Sequence, residues 1–148
     1  MIDLAKLEKY LNDISIETKR IVRILNSENS AVLNDPDLVG SLKYSLIVIA
    51  EAIAHTLQHI LAKEHNISVS GYKEALINSR QYRIISPELS SKLEPFISFR
   101  NMLVHHYWKV DNELFLKNLR EGLEDFQNFV NIIKNFMRNI SQKPSKAD

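Results

Sequence analysis

Apolar residues return at alternating three- and four-residue steps over two long stretches of this chain, and that rhythm leaves few folds open to it. Leu4, Leu7, Leu11, Ile14, Thr18, Ile21 and Leu25 form the first series. Leu116, Leu119, Leu123, Phe126, Val130, Ile133, Met137 and Ile140 form the second, with Asp111 placed to cap its start. Each series is the seam of an amphipathic helix that packs lengthwise on another helix. With only 3 glycines, no hairpin dipeptide and no sustained period-two alternation, little is left from which to build a sheet. The expected fold is all-α, an up-and-down bundle of about five helices.

Between the two seams the helix starts are written in local chemistry. Asp35-Pro36 is a cap followed by proline at the first helical position, opening a helix with Leu42, Leu46, Ile49, Ile53, Leu57 and Ile60 on its apolar side and an end near His65-Asn66. Gly71 precedes a shorter helix over Tyr72 to Gln81, and Ser86-Pro87 repeats the cap-plus-proline start. Pro95 is expected to kink or split the helix that follows, because it removes a backbone donor and crowds the preceding turn. Residues 141–148 are polar and contain Pro144, so the chain divides into one helical domain over 1–140 and a frayed tail.

Composition narrows the partners. Lys and Arg number 19 against 18 Asp and Glu, a formal net charge of +1, so a broad basic coat is excluded and any nucleic-acid contact needs a local patch. The absence of cysteine excludes disulfides and thiolate metal sites and is compatible with a reducing cytoplasm. Asp3, Lys6, Glu8 and Lys9 interrupt the start of the chain, and the apolar run Leu46 to Ala50 ends at Glu51; a soluble, cytoplasmic protein without membrane contact is expected.

Chemistry is concentrated in Phe99 to Trp108, which brings a guanidinium, two imidazoles and a phenol into one short segment. Arg100 can hold an anion through its rigid fork of donors, and His105 or His106 can move a proton near neutral pH, a pairing suited to a phosphate ester. The same residues would also suit a helix end whose side chains cap carbonyls or face solvent.

Arg100, His105 and Tyr107 stand in the spacing Arg-x-x-x-x-His-x-Tyr, and the chain resembles HepT-like proteins of the HEPN superfamily. Glu51-Ala52-Ile53-Ala54 in a long second helix, the Arg-Asn-Met-Leu-Val-His segment, the Tyr-Trp-Lys-Val-Asp exit and the final long helix follow that family's order across residues 1 to 140. The resemblance implies a homodimeric toxin of a prokaryotic toxin–antitoxin pair, a metal-independent endoribonuclease acting on tRNA or mRNA without a cofactor. It implies Arg100 and His105 as catalytic residues in a composite dimer cleft and Glu51 as a supporting acid facing that cleft. It also implies a minimal nucleotidyltransferase (MNT) antitoxin as partner, with Tyr107 as the residue it adenylylates. His55 stands where the family has an acidic residue. A different class of function remains open beside this one: a non-catalytic helical adaptor that binds the nucleotidyltransferase and a nucleotide or tRNA in the same cleft.

RNA carries its own nucleophile in the 2′-hydroxyl, so orientation, a base, an acid and charge stabilisation at phosphorus suffice for its cleavage. At about 100° per residue, however, His105 lies roughly 140° around a helix from Arg100 and shares a face with Asn101, while Tyr107 shares the face of Arg100. Either the arginine reaches around, or the helix loosens before Tyr107, or the cleft opposes Arg100 of one copy to His105 of another. Asn101 could orient His105 or bind phosphate, or simply be a surface amide.

Glu51, His55 and His59 fall on one helical face at four-residue steps, a pattern open to adventitious metal binding, though no functional metal is expected there. His55 to His59 lacks the zinc-protease glutamate because Thr56 fills that position. Arg80, Arg83, Lys109 and Lys117 could widen a basic path around Arg100, or be solvated helix charges.

Overall fold

The computed structural model describes residues 1–142. Its helices are α1 (Leu4–Leu25), α2 (Asn29–Leu33), α3 (Pro36–His65), α4 (Tyr72–Gln81), α5 (Pro87–His105) and α6 (Asn112–Gln142), with a 3₁₀ turn at Tyr107–Lys109 between the last two. No strand occurs among the described residues. The five long helices are those the sequence signals, and α2 is a short sixth in the connection from α1 to α3, anchored by the fully buried Val32.

The caps act as their residue types dictate. Asp35 Oδ1 accepts from the backbone N–H groups of Asp37 and Leu38, Ser86 Oγ from that of Leu89, and Asp111 Oδ1 from those of Glu113 and Leu114. Helix α3 closes at Asn66, which takes the left-handed conformation at φ 55° that asparagine tolerates better than most residues.

Helix α3 is the axis of the bundle, packing against α1, α2, α4 and α5, with α6 laid on α1 and α5. It is long and apolar enough to cross a membrane by length and composition, but its apolar side chains, from Leu42 through Ile49, Ile53 and Leu57 to Leu61, are the core of this fold. The seams of α1 and α6 bury Leu7, Leu11, Ile14 and Ile21 on one side and Leu119, Phe126, Val130 and Ile133 on the other. Between α1 and α3 the buried Glu17 carboxylate accepts from Ser45 Oγ at 2.9 Å and pairs with Arg20 at 3.0 Å.

The structure bears on two further expectations, at α5 and at α6. Pro95 does not split α5, which runs unbroken from Pro87 to His105. Its neighbour Phe96 packs edge-on against Phe126 at 4.7 Å between ring centres, and Phe99 likewise against Phe115 at 5.4 Å, so burial on α6 holds the helix together across the missing donor. Helix α6 extends to Gln142, two residues into the stretch expected as a tail; residues 143–148 lie outside the described residues.

Candidate active site at the end of α5

Phe96, Phe99 and Leu103 commit one side of α5 to the core, which leaves Arg100 on the flank that meets α3. There the guanidinium pairs with Glu51. Arg100 Nη2 and Nε donate to Glu51 Oε1 at 3.0 and 3.3 Å, and Nη1 donates to Asn101 Oδ1 at 3.2 Å. Beneath the guanidinium lies the ring of Tyr72, from the first turn of α4, with the Arg100 Cζ 4.4 Å from its centroid. The Arg100 side chain is only 16% exposed and that of Glu51 35%, so the pair is partly shielded from water and stronger than a surface pair.

Tyr72 continues inward. Its hydroxyl hydrogen-bonds His55 Nε2 at 3.2 Å in either tautomer of the ring, and the His55 ring sits between Tyr72 and Tyr10 of α1, 5.7 Å from each. Burial pushes the Tyr72 phenol above its usual range and Glu51 adds to the rise, while the Arg100 charge opposes it, so the hydroxyl stays neutral and keeps its proton. Tyr10 and Tyr72 carry no signal in the sequence that would assign them here. They join Arg100 only because α1, α3, α4 and α5 converge at this point.

At Arg100 itself three of the five guanidinium N–H donors are used by Glu51 and Asn101, leaving one on each terminal nitrogen. Asn101 thus engages Arg100 rather than His105.

His105 is the last residue of α5 and is exposed, and among the described residues no hydrogen bond joins it to Arg100. The helix does loosen before Tyr107. His106 leaves the helical region at φ −144° and ψ 49°, its N–H closing the last turn on the Met102 carbonyl, and Tyr107 begins the 3₁₀ turn. Tyr107 and Trp108 are each 66% exposed, with the Trp108 ring edge-on to both His106 and Tyr107. One chain therefore presents an anchored arginine, a separate solvent-facing imidazole and an open phenol, within one short segment.

The four-residue face of α3 does not act as a unit. Glu51 goes to Arg100, His55 to Tyr72, and His59 Nε2 accepts from the backbone N–H of Asp3 at 3.0 Å. Nor do the four outlying cations form one path. Arg80 and Arg83 lie at the end of α4 away from Tyr72, by the start of α5, whereas the exposed Lys109 and Lys117 follow the end of α5.

Residues 6–133 match the family model described as Ribonuclease HepT-like. The tRNA nuclease HepT of Aphanizomenon flos-aquae is 27% identical over 114 residues, 72% of this chain and 77% of that protein. The mRNA nuclease HepT of Shewanella oneidensis is 25% identical over 116 residues, 78% of this chain and 86% of that one. In fold the chain is similar to the tri-AMPylated Shewanella oneidensis HEPN toxin solved in complex with MNT antitoxin. That likeness has a TM-score of 0.82 at 24% identity and covers 91% of this chain and 99% of that chain.

Proposed function

Since the chain belongs to the HepT-like ribonuclease family, we propose that it is the toxin of a toxin–antitoxin pair and cleaves RNA in a cleft completed by a second copy of itself. The observation that carries this is the arginine that is anchored yet not saturated. Glu51, Asn101 and Tyr72 hold Arg100, and one N–H donor on each terminal nitrogen remains to meet two oxygens of a phosphate. Because His105 is exposed and not bonded to Arg100 within a chain, a two-fold axis at this end of α5 supplies the missing juxtaposition.

In such a cleft the His105 imidazole of one copy takes the proton of the RNA 2′-hydroxyl. The oxygen attacks the adjacent phosphorus, forming the P–O2′ bond as the P–O5′ bond breaks, and the imidazolium of the second copy's His105 protonates the departing O5′. The products are a 2′,3′-cyclic phosphate and a 5′-hydroxyl. Arg100 neutralises the negative charge that grows on the non-bridging oxygens, and Glu51 and Asn101 keep its fork in register. The nucleophile comes from the substrate, so no metal-bound water is required.

Tyr107 is the proposed point of control. Its exposed phenol can attack the α-phosphate of ATP on an MNT antitoxin, releasing pyrophosphate and leaving an adenylyl group where RNA must enter. The charge and bulk added there would close the cleft. An RNA substrate and this partner both assign the protein to the cytoplasm.

A second reading has its own support: Glu51 neutralises Arg100 within the chain, as a site that only presents a nucleotide or tRNA to the nucleotidyltransferase would allow. Incubation with tRNA and with mRNA in EDTA separates the two. Wild type is expected to cut, with Arg100→Ala and His105→Ala each slower by about 100-fold or more. Intact RNA with wild type, or equal cutting by His105→Ala, overturns the catalytic reading in favour of the adaptor. Mass spectrometry of protein coexpressed with an MNT antitoxin tests the switch, and unmodified Tyr107 overturns it.

A further inference from the structure

A guanidinium presented to phosphate needs more than in-plane partners. Glu51 and Asn101 fix Arg100 along its edges, but hydrogen bonds of 3.0 to 3.3 Å to an oxygen shared by two donors leave the plane free to tip. What opposes tipping is the face of Tyr72, 4.4 Å from the Arg100 Cζ. Tyr72 is itself held on two sides: the first turn of α4 fixes its backbone, and His55 takes its hydroxyl. His55 in turn is lodged against Tyr10. Three helices, α1, α3 and α4, thus each contribute one side chain to a stack that ends beneath the charged fork carried by α5.

We propose that Tyr72 is a positioning residue for Arg100, fixing the plane of the guanidinium through its ring face, and that His55 keeps that ring in place by bonding its hydroxyl. The proposal rests on the ribonuclease reading of the same site, and it separates two parts of Tyr72 that a merely structural tyrosine would not separate. The ring face acts on Arg100 and the hydroxyl acts on the ring. Phenylalanine keeps the first and loses the second; leucine fills similar space with neither.

In RNA-cleavage assays run well below the melting midpoint of every variant, Tyr72→Phe is expected to retain kcat within about threefold. Tyr72→Leu is expected to lose about tenfold or more, the value of a cation–π contact partly shielded from water. KM for RNA should change little in either, because the Arg100 charge remains to bind substrate while its alignment in the transition state is lost. His55→Phe, which cannot bond the hydroxyl, should match Tyr72→Phe, and a loss as large as that of Tyr72→Leu would overturn the modest role given to that bond. A Tyr72→Leu enzyme with wild-type kcat, or one whose loss follows only its folded fraction, overturns the proposal.

An NMR readout keeps this test distinct from that of the proposed function. Ring current from Tyr72 should shift the Arg100 Nε–H signal, the shift persisting in Tyr72→Phe and disappearing in Tyr72→Leu. If Arg100→Ala cleaves RNA as wild type does, the ribonuclease reading of this arginine fails, and the signal still decides whether Tyr72 positions it. An Arg100 resonance unmoved in Tyr72→Leu overturns the positioning role whatever the activity.

Discussion

Replacing Gly122 with alanine tests how closely α5 and α6 are apposed one turn before Arg100. A Cβ built at Gly122 would overlap Phe96 Cζ and come within 2.6 Å of its Cε2, whereas carbon pairs settle at about 3.5 to 4.0 Å. The ring must therefore retreat by about 1 Å or more. It has little room to do so, being 3% exposed and packed at 4.7 Å against the fully buried Phe126. Overpacking of this kind costs about 1–3 kcal/mol, while alanine in place of glycine within a helix returns up to about 1 kcal/mol. The steric cost prevails, and a net loss of about 1–2 kcal/mol is expected, lowering Tm by about 3–8 °C in a domain of this size. Thermal unfolding followed by far-UV circular dichroism measures it. Phe96→Leu combined with Gly122→Ala should cost less than the sum of the two single substitutions, because the smaller side chain vacates the space the methyl needs. Gly122→Ala melting at or above the wild-type temperature would refute the reasoning.

Other substitutions address the site, the pH response and the α1–α2 corner. Arg100→Lys keeps the charge but not the fork that spans Glu51 and Asn101, so RNA cleavage should fall by about 100-fold while melting is little changed; near-wild-type cleavage would mean that charge alone suffices. Burial first, then the Lys6 and Lys63 ammonium groups, hold the His59 imidazole below its usual range despite the opposing pull of Asp3. The unfolded chain then takes up that proton before the folded one, so this contribution to stability is complete above about pH 6.5 and is lost as pH falls toward the lower folded value. His59→Gln, which preserves an acceptor for the Asp3 N–H, should flatten that slope in urea titrations at successive pH values. Arg120 of α6 donates to Asn29 Oδ1 at 2.6 Å and to the Leu25 and Ser27 carbonyls at 2.8 Å each, closing the turn that follows α1. Arg120→Ala should therefore lower the unfolding free energy by about 1.5–3 kcal/mol with an unchanged denaturant slope.

What the sequence discloses and what it hides divide along a physical line. Asp35, Ser86 and Asp111 are legible because a cap is a bond between residues two or three positions apart, and the seams of α1 and α6 because helical period alone sorts their faces. The short α2 escapes because five residues show no period. Continuity through Pro95 escapes because it depends on what Phe96 and Phe99 meet on another helix. The candidate site follows the same rule. Arg100, Asn101, His105 and Tyr107 stand out in one contiguous segment, and helical spacing marks Glu51 with His55 and His59 while only family likeness ties it to the cleft, but no local spacing links Tyr72 to Arg100 or Tyr10 to His55. Those contacts are set by how helices are laid together. The same consideration explains why His105 and Arg100, five residues apart, do not meet: α5 turns their side chains to different surroundings, and Arg100 has already found Glu51 on α3. Under the proposed function, a second copy brings the two groups together at one phosphate. Mixed dimers provide the corresponding measurement. Wild type mixed with His105→Ala chains should lose cleavage as the square of the wild-type fraction once subunits exchange, because a heterodimer keeps one imidazole where the proposed cleft uses two. A fall in simple proportion to the wild-type fraction, despite demonstrated subunit exchange, would place each working site on one chain and refute the composite cleft.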